Sequence, residues 1–242
     1  MSGHSKWATI KRKKAKTDVA RAKAWNKLIK EISVAAKLGG GDIEANPRLR
    51  AAVLKAKGQS LPVKNIESAI KKGIGGNDGK TVEEPVYEGY GPAGTAFMVM
   101  AMTDNKTRSV ADIRNAFSKN GGNLGEPGSV AWGFQHQGVI IVSSEQISED
   151  ELMDLVLEAG ADDLSTQEDV YEITTSPESF SDVTKALEAK GLEMMSAELT
   201  YNPENTVKVG SEEGEKIQRL VDRLEDLEDV QEVYHNAEFE DE

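Results

Sequence analysis

The chain has 242 residues, no cysteine, 38% hydrophobic residues and a formal charge of −13 from 29 Lys and Arg against 42 Asp and Glu. Its length suits one large domain or two to three small ones. The lack of cysteine excludes disulfides, thiol nucleophiles and cysteine-ligated metals. No apolar run approaches the ~18 residues of a membrane span, and the basic start lacks the apolar core of a signal peptide. The expectation is a cytoplasmic protein with no membrane partner.

The charge is unevenly divided. Residues 1–80 hold 19 Lys and Arg against 6 Asp and Glu, a formal +13, while residues 81–242 hold 10 against 36, a formal −26. Such asymmetry predicts a basic binding module joined to acidic ones. Residues 1–16 read as an arm in which Lys6, Lys11, Arg12, Lys13, Lys14 and Lys16 fall within eleven residues without one acid. A block of like charges this dense repels itself unless a polyanion neutralises it, and nucleic acid and anionic membrane are the obvious polyanions. Trp7 among these cations invites stacking on a base; packing onto the neighbouring helices is the alternative.

Thr17 or Asp18 caps a helix with an apolar stripe at Ala22, Trp25, Leu28, Ile29, Ile32, Ala35 and Ala36. Lys23, Lys27, Lys30 and Lys37 follow a second stripe, and the run Gly39-Gly40-Gly41 ends the helix. Asn46-Pro47 opens a second helix, with Leu49, Ala52, Val53 and Ala56 inward and Arg48, Arg50, Lys55 and Lys57 more exposed. Pro62 opens a third, with Val63, Ile66, Ala69 and Ile70 inside and Lys71, Lys72 and Gly73 at its end. Cations in a last turn also favour the helix dipole, so Lys71 and Lys72 have a purely structural reading as well. Residues 73–80 form a glycine-rich linker.

Strand patterns follow. Residues 86–90 and 95–102 flank a hairpin turn at Gly91-Pro92-Ala93-Gly94. Gly89, Gly91 and Gly94 match G-x-G-x-x-G by letter, but a β-run follows where the dinucleotide motif needs a helix. A helix is expected over 109–119, a turn at 121–125 and a strand over 130–134. Residues 138–200 then read β-α-β-β-α-β, the ferredoxin-like split unit, with strands at 139–142, near 162–164, at 170–174 and 192–200 and helices at 149–159 and 180–189. A strand at 206–209, a helix at 211–225 and a strand at 230–234 complete the pattern, and the last eight residues read as frayed. The region before the split unit lacks a second helix and a closing strand, which the tail supplies. The expected architecture is therefore α+β: a three-helix domain over 1–76, an α/β domain made of 81–135 and 201–242, and a ferredoxin-like domain at 138–200 inserted into it.

Chemistry-bearing motifs are missing. His4, His136 and His235 are far apart in sequence, and no H-E-x-x-H, P-loop, G-x-S-x-G or EF-hand pattern occurs. Acidic pairs such as Asp162-Asp163 fit a solvated face. The expectation is a non-enzyme with no cofactor, no metal and no catalytic residue.

Taken together, GHSKWATIK at 3–11, NPRLR at 46–50, NIESAIKKG at 65–73, YEGYGPAGTA at 87–96, TDNKTR at 103–108, FSKNGGNLGEPGSVAW at 117–132 and LEDLEDVQEVYHN at 224–236 resemble the YebC/PmpR family over essentially the whole chain. The chain departs from the family pattern at Arg12, where His is common, and near Trp132, where Tyr or Leu is common. The resemblance implies three domains, one helical and two α/β, and a non-enzymatic role in gene expression. Bacterial members are described as probable DNA-binding transcriptional regulators; others look like translation factors on the ribosome, including relief of stalling at proline runs. The resemblance carries the basic motif onto Lys6, Trp7, Lys11, Lys13 and Lys14.

The candidate nucleic-acid contacts are Lys6, Trp7, Lys11, Arg12, Lys13, Lys14, Lys23, Lys27, Lys30, Arg48, Arg50, Lys71 and Lys72. The partner is DNA or rRNA, with the ribosome as a further possibility, and a monomer is favoured. No helix groups Arg, Asn and Gln to read base edges, so these cations look like phosphate contacts, which position without specifying. A DNA-binding regulator and a ribosome-associated factor both fit. An enzyme or small-molecule sensor has only the split βαβ fold in its favour.

Overall fold

Asn46 sets the geometry of the helical part. In a computed structural model, which describes residues 18–75 and 82–239, its side chain accepts from the Leu49 amide at 3.1 Å and donates to the Ala35 and Gly40 carbonyls at 2.9 and 2.8 Å. One buried amide thus caps helix α2 (Pro47–Gly58) and satisfies carbonyls at the end of helix α1 (Asp18–Gly39). Helix α3 (Val63–Gly75) packs along α1. A Cβ on Gly73 would stand 2.4 Å from the Ser33 carbonyl and 2.8 Å from Ala36 Cβ, so only glycine permits this approach. Leu28, Ile32, Ala35, Leu49, Val53 and Ile66 fill the core between the three helices.

Val63 departs from expectation. It shares the spacing of Ile66 and Ala69 but is 63% exposed, because it is the first residue of its helix and no neighbouring element covers it.

By their contacts the described residues form two units, one of 18–75 with 136–200 and the other of 82–135 with 201–239. In the first, strand β4 (Phe134–Ser143), helix α5 (Glu149–Glu158), strands β5 (Ala161–Gln167) and β6 (Val170–Thr175), helix α6 (Phe180–Ala189) and strand β7 (Met194–Pro203) follow in chain order. Their sheet runs β5-β6-β4-β7, with β6 antiparallel to both β4 and β5. That order is the ferredoxin-like split βαβ unit. Ile140, Val142, Leu152, Val156, Ile173, Val183 and Leu187 form its core, and Leu54 of α2 joins them. The helical domain is therefore packed on the split unit through α2.

The second unit starts with the hairpin of strands β1 (Val86–Tyr90) and β2 (Ala96–Ala101), paired Tyr87 to Val99 and Gly89 to Phe97. Its turn is a 3-10 segment at Pro92–Gly94 with Ala93 at φ 57°. Helix α4 (Lys106–Lys119) starts three residues earlier than the apolar spacing indicated, because the Asn105 side chain accepts from the Arg108 amide. Strands β3 (Asn123–Leu124) and β9 (Val230–His235) flank the hairpin in the order β3-β1-β2-β9. Helix α7 (Ser211–Glu225) joins α4 over this sheet, enclosing Phe97, Val99, Ile113, Phe117, Ile217, Leu220 and Leu224. Strand β10 (Ala237–Phe239) pairs in parallel with β8 (Val207–Val209) and buries Ala237. The fraying expected from residue 235 onward therefore does not extend to Phe239.

The strand expected at 130–134 is also corrected. Ala131–Gly133 is a 3-10 turn and the strand begins at Phe134. Glu88 is the cause: its carboxylate draws in the amides of Gly128, Val130 and Ala131, which bends the backbone out of extension.

Candidate nucleic-acid interface

Helical periodicity places Lys23, Lys27 and Lys30 on the side of α1 away from Leu28, Ile32 and Ala35. Lys23 is exposed, and Lys27 and Lys30 are half-buried. Lys71 and Lys72 are exposed on the last turns of α3.

The helices bring two of these groups together. Ser33 Oγ donates to the Ala69 carbonyl at 3.0 Å, and the Gly73 Cβ position lies 3.2 Å from the Lys37 amide. The C-terminal ends of α1 and α3 therefore coincide, and Lys37, Lys71 and Lys72 gather there. Lys37 belongs to the α1 stripe but was not among the candidate contacts. The signal that would have added it is the small-residue contact at Gly73, which is visible only once the two helices are paired.

Arg48 and Arg50 are engaged within the molecule, and Arg50 is buried where exposure was expected. Arg48 Nε meets Glu31 at 2.8 Å. Arg50 is only 5% exposed, and its guanidinium donates to Glu44 at 3.0 Å and to Glu188 of α6 at 2.6 Å. Lys55 meets Glu198 of β7 at 2.8 Å. These cations are neutralised within the molecule. Arg50 and Lys55 fasten α2 to the split unit. The sequence missed this because the Arg50 partner lies 138 residues away. Lys6, Trp7, Lys11, Arg12, Lys13 and Lys14 lie outside the described residues.

The electrostatic contrast persists at the level of domains. Residues 18–75 carry 12 Lys and Arg against 5 Asp and Glu, whereas 136–200 carry 2 against 16. A phosphate chain is attracted by the first set and repelled by the second.

Other buried polar groups serve the fold. Asp229 accepts from Thr103 Oγ1 and from the Arg108 guanidinium, each at 3.0 Å, and its carbonyl accepts from the Met102 amide at 2.8 Å. The Arg108 guanidinium is held above its ordinary pKa by the hydrogen bond and charge of Asp229 and by Asp104. Around this network lies a cavity of about 200 Å³ lined by Asp112, Glu228 and Asp229. The His235 ring packs between Phe97 and Phe239 at 5.5 and 5.8 Å. His136, exposed overall, is pushed below its ordinary pKa by partial desolvation, with Glu178 opposing. Among the described residues no three His, Asp or Glu side chains are grouped as a metal site, and no helix is long and apolar enough to cross a membrane.

Known proteins show the same organisation. A family model described as the TACO1/YebC protein N-terminal domain matches residues 5–76, and one described as the TACO1/YebC second and third domain matches residues 82–237. The chain belongs to the TACO1/YebC family. A family relative from Clostridium acetobutylicum, named a probable transcriptional regulatory protein, is 52% identical over all of this chain and 98% of its own length. Another of that name from Syntrophobacter fumaroxidans is 53% identical, with the same coverage. A crystal structure of a conserved hypothetical protein from Aquifex aeolicus superposes with a TM-score of 0.80 at 44% identity, covering 94% of each chain. The fold is thus the mixed α/β arrangement of that family, with a helical N-terminal domain.

Proposed function

We propose that this TACO1/YebC protein is a non-enzymatic regulator of gene expression that binds nucleic acid through its basic N-terminal part in the cytoplasm. The observation that carries this reading is the charge division: +13 over residues 1–80 in a chain whose total is −13. Lys6, Lys11, Arg12, Lys13 and Lys14 supply phosphate contacts, and the exposed lysines of α1 and α3 extend them. The acidic remainder limits how much of the molecule can approach a phosphate backbone. The names of the relatives, probable transcriptional regulatory proteins, support a role in regulating transcription, with DNA as the polyanion on this reading.

A second reading is a ribosome-associated translation factor, with relief of stalling at proline runs as the role its family resemblance implies. One observation favours it: the helical domain offers cations without a grouped set of base-reading side chains, which suits rRNA backbone better than an operator. Sedimentation of cell lysate through sucrose after DNase treatment separates the two. Co-migration with ribosomal particles selects translation. Absence from those particles together with a footprint on a defined promoter selects transcription.

A further inference from the structure

Trp132 is 75% exposed and Tyr90 is 43% exposed. Trp132 Nε1 and Tyr90 Oη donate to one acceptor, the Ser129 carbonyl, each at 3.1 Å. The shared acceptor holds the two tips side by side, and with both tips engaged the exposed remainder is aromatic ring. The loop beneath is latched by Glu88, which receives the amides of Gly128, Val130 and Ala131 at 2.6, 2.8 and 2.7 Å. An aromatic pair fixed in this way is organised before any ligand arrives, which reduces the ordering cost of binding.

Charge around the pair selects the class of ligand. Glu88 stands opposite Met98 and Tyr90 opposite Ala96 in the register of β1 and β2. Alternation along the strand therefore puts Tyr90 on the Met98 face of the sheet, whereas Phe97 faces the core under α4 and α7. All four cations of residues 82–135 lie on α4, and three of the four in 201–239 lie on α7. The pair is on the side away from both helices, and acids flank it instead. The Glu126 carbonyl accepts from the Ser129 amide at 3.1 Å, closing the turn that carries the shared acceptor. The Glu204 amide donates to the carbonyl of Gly133, the residue after Trp132, at 2.9 Å. Both glutamates are exposed, and segments 124–135 and 201–206 contain no Lys or Arg.

We propose that Trp132 and Tyr90, with Glu126 and Glu204 beside them, receive an arginine side chain from a basic segment of a partner protein. The faces of aromatic rings attract a cation, Trp most strongly. Neighbouring carboxylates add charge-assisted hydrogen-bond acceptors for the guanidinium. Arginine suits the site better than lysine because its planar, weakly hydrated head stacks on a ring. A phosphate chain is repelled by the same carboxylates. The surface takes a polycation, whereas the function proposed above concerns a polyanion at the N-terminal part, so this inference goes beyond that reading.

The test is a polarisation titration of the full chain with a fluorescein-labelled peptide of alternating Gly and Arg. The reference is the same peptide with citrulline, the neutral isostere, in place of Arg. Trp132→Ala should weaken binding of the Arg peptide about two- to five-fold, the range of exposed cation–π contacts, and Trp132→Phe should lose less. Glu126→Gln combined with Glu204→Gln should also weaken binding and lower its sensitivity to salt. Asp162→Asn combined with Asp163→Asn removes the same charge from the other unit and should change affinity less. The citrulline peptide should be indifferent to Trp132. Wild-type affinity of Trp132→Ala for the Arg peptide would overturn the proposal. So would an equal loss for the citrulline peptide, which would make the pair a plain apolar contact, or equal losses in the two acid-neutralised variants, which would make the attraction diffuse. Self-association of the full chain that Trp132→Ala abolishes would make a second copy the occupant and overturn it too. Failure of the basic-arm reading looks different: a nucleic-acid salt slope that neutralising the arm leaves unchanged.

Discussion

The Ala131 amide donates to the Glu88 carboxylate at 2.7 Å, and the amides of Gly128 and Val130 share the same carboxylate. Glu88 is 6% exposed and sits on β1 with its side chain under the 126–132 loop. Burial opposes its charge, but the three backbone bonds more than offset this, so its carboxyl titrates below the ordinary glutamate value. The unfolded chain therefore takes up the proton first as pH falls. The stabilisation is complete above about pH 4.5 and is lost as pH drops toward the folded pKa. Glu88→Ala leaves three amides without their acceptor and should cost about 2–4 kcal/mol. Urea unfolding at pH 7 and pH 4 checks both statements: the gap between wild type and variant should narrow at the lower pH.

Arg50 should behave as a fastener. Arg50→Ala removes the buried guanidinium that joins α2 to Glu188 and should destabilise the protein by about 1–3 kcal/mol through lost packing and hydrogen bonds, since Glu188 itself is 42% exposed and is solvated in its absence. The double substitution of Lys71 and Lys72 by Ala, both exposed, should leave the melting temperature within about 1–2 °C while weakening polyanion binding. Thermal melts paired with a filter-binding assay separate the two behaviours.

Gly73 lets α3 lie against α1. Gly73→Ala drives a methyl toward the Ser33 carbonyl at 2.4 Å, backbone that cannot yield without moving the helix. The cost should be about 1–3 kcal/mol, as for other over-packed sites, and denaturant titration measures it. Gly75→Ala, where a Cβ meets nothing within 4 Å, is the matched control and should be neutral or slightly stabilising.

His136 gives a second pH dependence. Its folded pKa lies below the ordinary value of 6.5 because partial desolvation disfavours the charged ring, with Glu178 opposing; the residue is exposed overall, so the effect on stability is small. A folded-state pKa below the unfolded one means stability is complete above about pH 6.5 and is lost as pH falls through the folded pKa. His136→Gln should flatten stability between pH 7 and pH 5 relative to wild type. The His136 ring signals in a proton NMR titration should report the depressed pKa directly.

Local patterns made much of the fold legible. The helices Phe180–Ala189 and Ser211–Glu225 coincide with their apolar periodicity, and the ferredoxin-like order follows from the alternation of strand and helix patterns between residues 138 and 200. The features that were not legible depend on distant partners. Arg50 reads as surface by residue type and is buried because Glu188 comes to it from another domain. The run at 130–134 alternates like a strand and is curled by a carboxylate more than forty residues upstream. Trp132, on the same curl, is 75% exposed. For the candidate interface, spacing alone showed the α1 lysines, whereas the gathering of Lys37 with Lys71 and Lys72 needed the pairing at Gly73.

The central claim is that a cationic N-terminal part neutralises phosphates. The most direct measurement is the salt dependence of nucleic-acid affinity for the wild type and for the variant with Lys11, Arg12, Lys13 and Lys14 replaced by Ala. At roughly 0.7 to 0.9 per phosphate, the slope of log affinity against log salt should fall by about 3. An unchanged slope, with affinity intact, would contradict the account.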